Sequence, residues 1–559
     1  MKFHIPFIQW RFNLLIFFIV FLITGLIVRM VDLSIVEHDF LQTQGDARTK
    51  RILTIPAFRG MITDREGYPL AISTPVFSVW MNPQELAADA KQIKLLSQLL
   101  EKNPAAIQTL IKRHQDTERE FVYLKRDVPP AIANKIKSLQ IHGVYLQQDF
   151  KRYYPEGEVT AHVVGFTNVD DRGQEGIELA FDDWLLGTPG KQVVIKDRKG
   201  RVISSMQYLQ QQKSGKDLSL SINRRIQNLA HRELRVGVET HKAESGSVVV
   251  LDIKTGEVLA MVNQPAFNPN NRAKQDVQAF RNRAVTDVFE PGSTIKAFSI
   301  ASALDSKKYH LQSVIDTHPG WIRIGRNVVK DEHNNGLLSV SQIIQKSSNV
   351  GTSKMVLSLP PSQLWSLLSR VGFGEITGVG FPGERSGELV RHENPFAVAT
   401  LAFGYGLTVT PLQLAQAYSV IANHGIKVPL SLLSVNQPPV GKRVMDEKVA
   451  EQMMTLLEAV LDKGGTGREA IIKSYRVAGK TGTSEIAGEG GYSGHYVSSF
   501  VGIAPASHPR FVVAVVIRDP EGSVRHGHHG GHISGPIFKK VMEGALHLYN
   551  IAPDDVETA

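Results

Sequence analysis

The chain has 559 residues, of which 42% are apolar and 21% charged, with a formal net charge of +9 and no cysteine. That length allows two or three domains with real cores, and the missing cysteines exclude disulfides and thiolate metal sites. The positive charge is spread along the chain with no Lys/Arg block or aromatic–basic interleaving, which argues against nucleic acid as a partner.

Residues 14–28 are apolar except for Thr24 and Gly25, and the run continues past Arg29 through Met30, Val31 and Leu33. About 20 residues cross a hydrocarbon core, so a transmembrane helix is expected over 12–33, with Arg29 snorkelling toward the headgroups. Lys2 and Arg11 precede it, and Asp32, Glu37 and Asp39 follow. This bias puts a cytoplasmic tail at 1–11 and everything after the helix outside. No small-x-small cleavage site follows, so an uncleaved signal anchor in the cytoplasmic (inner) membrane is read ahead of a cleaved signal peptide. Gly25 permits close approach of another helix, with Phe17, Phe21 and Val28 near it at helical spacing.

RGMITDREGYPLAIS, at 59–73, centres on Asp64-Arg65-Glu66-Gly67 and reads as a β-hairpin. A charged helical region is expected through about 139, then turn-rich short strands over 152–190. Nothing from 40 to 215 looks catalytic, so a structural domain is expected there. Near Lys216 the texture changes. A strand is expected at 218–222, a helix at 224–237, and a hairpin at 247–263 turning on Lys254-Thr255-Gly256-Glu257. A mainly helical stretch over 293–463, strands at 497–504 and 510–517, and a helix at 536–548 complete the pattern. Strands at both ends with helices between predict one sheet assembled from distant segments beside a helical lobe. The expected class is α+β, with a second domain over 216–549 and a tail at 550–559.

Three short segments of this second domain carry chemistry. In FEPGSTIKAFSIASAL, Pro291-Gly292 mark a turn, and a helix starting at Ser293 would place Lys296 one turn on and on the same face. A buried ammonium there is costly unless something requires it; the plain alternative is a capping Ser with an outward Lys. Ser347-Ser348-Asn349 and Lys480-Thr481-Gly482-Thr483 follow in order. Singly each is weak, but together they match the Ser-x-x-Lys, Ser-x-Asn and Lys-Thr-Gly set of penicillin-binding proteins and serine β-lactamases.

The residue types fit acyl transfer. A Ser hydroxyl is a poor nucleophile until a base takes its proton, and Lys296 can do so only if burial and nearby positive charge keep it neutral. Lys480 could supply that second cation and attract a substrate carboxylate. Ser347 could relay a proton to the leaving amine, and the Asn349 amide could fix Lys296 and hold the substrate amide. Gly482 would free a strand edge for an extended peptide. The backbone N–H groups of Ser293 and Thr483 are the natural oxyanion pair.

With these motifs, the chain resembles the class B penicillin-binding proteins, monofunctional peptidoglycan D,D-transpeptidases. RGMITDREGYPLA is similar to their N-terminal pedestal motif, and AFGYGLTVTPLQLAQAYS, at 402–419, to the division-specific branch of penicillin-binding protein 3 type. The resemblance implies an elongated, dimerisation-type α/β pedestal over 40–215 and a transpeptidase domain over 216–549 whose central antiparallel sheet is flanked by helices. It implies a stem peptide ending in D-Ala-D-Ala as substrate, release of D-Ala through an acyl-Ser293, acylation by β-lactams, and no cofactor or metal. It also implies substrate contacts from Thr481, Gly482, Thr483 and Tyr405, the last alternatively a core aromatic. A polytopic glycan polymerase and other division proteins are the implied partners, at the septum. Two departures stand out. Glu485 occupies a place where relatives commonly carry a basic residue, and VRHGHHGGHISGP sets four histidines, His526, His528, His529 and His532, where an aromatic-Gly-Gly turn is usual. A metal site and a loop at the rim of the cleft are both open readings of these histidines. Hydrolysis, as a carboxypeptidase or β-lactamase, and a non-catalytic membrane-tethered scaffold are the competing functions.

Overall fold

The computed structural model describes residues 9–115, 119–196, 202–273, 275–488, 491–521, 527 and 529–555. Helix α1 (Gln9–Val31) is apolar on all sides and its large side chains are exposed. Continued to Val36, it is the one helix among the described residues long and apolar enough to cross a membrane.

The chain divides into two units. The first comprises Met1–Phe58, Pro75–Phe150 and Gly187–Ser214. It holds an antiparallel sheet of Lys50–Ile55, Gly190–Lys196 and Val202–Gln210. A separate apolar core, including Val79, Met81, Leu96, Leu124, Val128 and Ile136, packs strand residues against the helices Ala90–Leu100, Pro104–Gln115 and Pro130–Ser138. The strand Val122–Val128 interrupts the region expected to be helical. Its Lys125-Arg126-Asp127 run hides the alternation, because only Leu124 and Val128 are fully buried.

The second unit comprises Arg59–Thr74, Lys151–Leu186 and Gly215–Ala559. Its first segment forms the expected hairpin, where Asp64 Oδ1 accepts from the amides of Glu66 and Tyr68. Arg59 beside it is buried and donates to Glu178 Oε2 at 2.6 Å, while Arg152 donates to Glu178 Oε1 at 2.6 Å. The pair of guanidiniums on one buried carboxylate ties 59–74 to 151–186.

Helix α2 (Arg224–Thr240) precedes the hairpin of β1 (Ser245–Asp252) and β2 (Val258–Gln264). Helix α3 (Lys296–Asp305) follows a 3-10 turn at Gly292–Ile295, so Ser293 lies in that turn and not at the start of the α-helix. Helix α4 (Asn349–Leu357) is capped by the Ser348 hydroxyl, which accepts from the Gly351 amide. A hairpin of Trp321–Ile324 and Asn327–Lys330 departs from the expected helical lobe. Then come β3 (Ala478–Gly488), β4 (Gly491–Ala504), β5 (Phe511–Arg518) and the closing helix α5 (Gly530–Leu548).

The sheet runs β2-β1-β5-β4-β3 and is antiparallel throughout. Every residue of β1 and β2 is buried, as a sheet covered on both faces requires. Helices α2 and α5 pack together and against the sheet, and Pro411–Ala422 packs on β1 and β5. Helix α5 starts six residues before the expected 536. The glycines that read as a loop are needed there: a Cβ on Gly530 would lie 2.3 Å from the Ser499 carbonyl oxygen and 2.4 Å from that of Gly482.

The buried Arg59–Glu178–Arg152 cluster yields a stability prediction. Glu178→Ala leaves the buried Arg152 without its carboxylate and Arg59 with only Asp182, at 2.7 Å, and should cost about 3–5 kcal/mol. Urea unfolding of the variant checks it; a loss below about 1 kcal/mol would show that the cluster is replaceable.

Candidate active site

Residues far apart in sequence converge on one cleft of about 640 Å³, lined among others by Ser293, Ser347, Asn349, Tyr405, Thr481 and Thr483. The turn carrying Ser293 sits against strand β3 at the edge of the sheet. That approach needs glycine. Gly292 has φ +54°, and a Cβ on it would come within 2.8 Å of the Thr483 carbonyl oxygen. Gly482 is required for the same reason. A Cβ there would lie 2.3 Å from Ser499 Oγ and 2.9 Å from the Pro291 carbonyl oxygen. Its missing side chain therefore makes room for the nucleophile turn and for β4, which corrects the expectation that it clears space for a substrate strand.

Lys296 is fully buried, so the reading of an outward lysine fails. Its Nζ lies 3.0 Å from Ser293 Oγ, 3.0 Å from Ser347 Oγ and 2.5 Å from the Ser347 carbonyl oxygen. Burial lowers it to about 7, against the opposing pull of Asp331 and Glu332. A neutral amine has two N–H donors and one lone pair. In that form the Ser347 carbonyl and hydroxyl can take the two donors, which leaves the lone pair for the Ser293 hydroxyl. Ser347 is held at φ +57°, a left-handed conformation unusual for a residue with a side chain. That backbone points both its carbonyl and its hydroxyl at Lys296.

Lys480 is also fully buried and donates to Ser347 Oγ at 3.1 Å and to the Thr481 carbonyl at 3.1 Å. Burial and then the nearby Lys296 hold it well below its ordinary value. The expected standing cation is thus itself disfavoured, and the two amines share one low-dielectric site through Ser347. Asn349 lines the cleft, but its amide donates to the Lys330 carbonyl at 2.9 Å. It makes no described bond to Lys296, whose nitrogen is already satisfied by Ser347, so that expectation is corrected too.

Thr481 and Thr483, two apart on β3, share the cleft side of the strand. Thr481 Oγ1 is 2.8 Å from Thr466 Oγ1, and Thr483 Oγ1 accepts from the Gly530 amide at 3.1 Å. Tyr405 stands at the cleft with its ring edge-on to Tyr492 and Phe403. The Glu485 amide donates to the Tyr405 hydroxyl at 3.4 Å, while its carboxylate accepts from the Gly494 amide at 2.9 Å, within the β3–β4 hairpin. His529 and His532 line the cleft, His532 paired with Glu469; His526 and His528 lie outside the described residues.

Sequence reasoning missed three supporting residues. Asp331 Oδ2 accepts from Ser348 Oγ at 2.5 Å and Oδ1 from the Val350 amide at 2.9 Å, clamping the start of α4. Glu290 accepts from the Gly406 amide and from Tyr492, and its carbonyl accepts from Ser484 Oγ. The buried Tyr418 hydroxyl donates to the Thr294 carbonyl at 2.7 Å, bracing the nucleophile turn from behind. Glu290 and Tyr418 fell inside segments already singled out, without a role; Asp331 carries no sequence signal, since its partners lie 17 and 19 residues away.

Residues 246–543 match the family described as the penicillin-binding protein transpeptidase domain, and residues 54–220 the penicillin-binding protein dimerisation domain. The chain is 43% identical to the peptidoglycan D,D-transpeptidase FtsI of Escherichia coli K12, over 99% of this chain and 94% of that one. It is 41% identical to the probable peptidoglycan D,D-transpeptidase PbpC of Pseudomonas aeruginosa, over 98% and 97%. Among solved structures, a peptidoglycan synthetase from Bifidobacterium adolescentis aligns with TM-score 0.70 and 27% identity, over 90% of this chain and 98% of that one. The apo transpeptidase domain of Burkholderia pseudomallei penicillin-binding protein 3 aligns with TM-score 0.55 and 37% identity, over 60% and 97%.

The lysine environment makes the site pH-dependent in a definite sense. Lys296 is protonated below about 7 and free to accept a proton above it. The rate of Ser293 acylation by a fluorescent penicillin should fall about tenfold per unit below that midpoint and level off above it. A midpoint near 10 would mean an unburied lysine. Asp331 opposes the depression, so Asp331→Asn should move the midpoint to lower pH while loosening α4; an upward move would contradict the electrostatics.

Proposed function

This chain belongs to the penicillin-binding protein transpeptidase family, and we propose that it cross-links peptidoglycan at the division septum, with Ser293 as nucleophile and Lys296 as base. It is a peptidoglycan D,D-transpeptidase and a β-lactam target. The observation that supports the residue roles best is the unbroken line Ser293 Oγ–Lys296 Nζ–Ser347 Oγ–Lys480 Nζ, with successive separations of 3.0, 3.0 and 3.1 Å.

In the proposed mechanism, Ser293 Oγ attacks the carbonyl between the two terminal D-Ala residues as its proton passes to Lys296 Nζ. The backbone N–H groups of Ser293 and Thr483 receive the oxyanion. The C–N bond then breaks, and the leaving amine takes a proton from the Ser347 hydroxyl, which recovers one from Lys296. D-Ala departs, leaving an ester on Ser293. An amine from a neighbouring stem attacks that ester, gives its proton to Lys296, and Ser293 is released protonated as the new amide forms. Thr481 and Thr483 offer hydroxyls to the substrate carboxylate, with Tyr405 beside the peptide. A β-lactam follows the first half only, because its leaving amine stays tethered.

The single apolar helix α1 is compatible with anchoring, and it supports a catalytic unit held on the outer face of the cytoplasmic membrane. Gly25, with Phe17, Phe21 and Val28, offers a face to a membrane partner, for which a polytopic glycan polymerase and other division proteins are proposed.

Ser293→Ala should abolish covalent penicillin labelling with folding intact; labelling at another serine would end the assignment. Lys296→Arg keeps a cation that cannot become neutral and should slow acylation on the order of a hundredfold. Turnover of a stem-peptide thioester with a D-amino acid acceptor should yield the aminolysis product; hydrolysis alone would indicate a carboxypeptidase. Removing residues 1–35 and exporting the rest behind a cleavable signal should leave acylation unchanged while division fails. Full support of division by that form would reduce the anchor to a tether.

A further inference from the structure

A groove of about 720 Å³ runs along α2, which packs on β2, at the edge of the sheet opposite the catalytic strand β3. Four strand spacings of about 4.8 Å separate β2 from β3 by roughly 19 Å. Arg224, Asn228, His231 and Arg235 recur at i, i+4, i+7 and i+11, so one stripe of the helix lines it. Arg225 and Arg232 add two more guanidiniums, and Asn268 adds an amide.

Three of the guanidiniums are tied to carboxylates: Arg224 to Glu156 at 3.1 Å, Arg225 to Glu66 at 3.2 Å and Arg232 to Glu233 at 2.8 Å. Each such pair uses only part of a five-donor fork. Arg224 is also covered from one side, its guanidinium stacking on the Tyr68 ring at 4.4 Å with Nε buried and unpaired, so it adds positive field to the groove more than an open donor. Arg235 forms no ion pair among the described residues. Burial and then its field keep the neighbouring His231 below its ordinary value, against the opposing pull of Glu158, the one carboxylate among the described residues lining the groove. Val159 and Leu229 are the only apolar side chains among the described residues lining the groove, so a lipid tail has little to lie against.

We propose that this groove binds a carboxylate-bearing stretch of the glycan–peptide polymer, held away from Ser293. The inference rests on the transpeptidase reading, which makes that polyanionic polymer the enzyme's substrate. Arg235 pairs with a carboxylate, the partly neutralised Arg224, Arg225 and Arg232 add positive field, and the Asn228 and Asn268 amides take hydroxyl and peptide groups. A chain held here keeps its neighbouring stem peptides near the cleft at raised effective concentration.

The test uses the full-length enzyme in detergent, with Ser293 first acylated by benzylpenicillin so that the cleft is filled. Soluble uncross-linked glycan chains a few disaccharides long, with tripeptide stems, are titrated against it. Binding should persist after acylation, weaken about tenfold in Arg235→Gln, the scale of one charge-assisted hydrogen bond, and be lost in Arg235→Glu. Amidating the stem carboxylates should weaken it similarly, and both variants should acylate within about twofold of the parent rate. Loss of binding on acylation, or equal affinity in the Arg235 variants, overturns the proposal. So does Arg235-dependent binding of short-chain phosphatidylglycerol in place of glycan. Failure of penicillin to label Ser293 would instead sink the transpeptidase reading, a separate readout.

Discussion

The catalytic unit depends on keeping one lysine amine dry. An ammonium in water is a poor base near neutral pH, and only removal from solvent brings Lys296 into range. Burial alone would strand a polar group. The Ser347 carbonyl and hydroxyl satisfy the neutral amine and leave its lone pair for Ser293. Ser347 reaches both positions only from a left-handed backbone, a conformation costing about 1–2 kcal/mol for a non-glycine residue. It lies between the helix Val340–Gln345 and α4, with Asp331 clamping the α4 end.

The same need for dryness explains the crowding around the turn. All residues of α3 from Lys296 to Leu304 are buried, with Phe298 packed edge-on to Phe373 and Tyr418. Backbones approach one another at Gly292, Gly482 and Gly530 more closely than any side chain allows. Water is kept from the lysines on the core side, while Ser293, Thr481 and Thr483 remain open to the cleft. Because β3 is the edge of the sheet, no further strand covers its outer side.

Distribution of charge follows a different logic away from the cleft. Arg59 and Arg152 close on one buried carboxylate and hold segments together. The arginines of α2 are only partly neutralised and face a groove. Paired inward, guanidinium groups stabilise chain topology; left with spare donors, they recognise anions.

The sequence by itself determined the apolar N-terminal helix, the hairpins at 59–73 and 247–263, the α+β class and the order of the three motifs. Each of these is written in local signals: apolar length, turn residues between alternating runs, and residue types at fixed short spacing. The tertiary structure decided what those signals do not encode. It showed that the turn at Ser293 is 3-10, that Gly482 serves packing, and that Asn349 bonds Lys330 and not Lys296. It also brought in Asp331, Glu290 and Tyr418, and it buried Lys480 beside Lys296, which holds that lysine well below its ordinary value. Hydrogen bonds across more than a hundred residues, and the solvation of a buried amine, belong to the packed interior, so no stretch of sequence carries them alone.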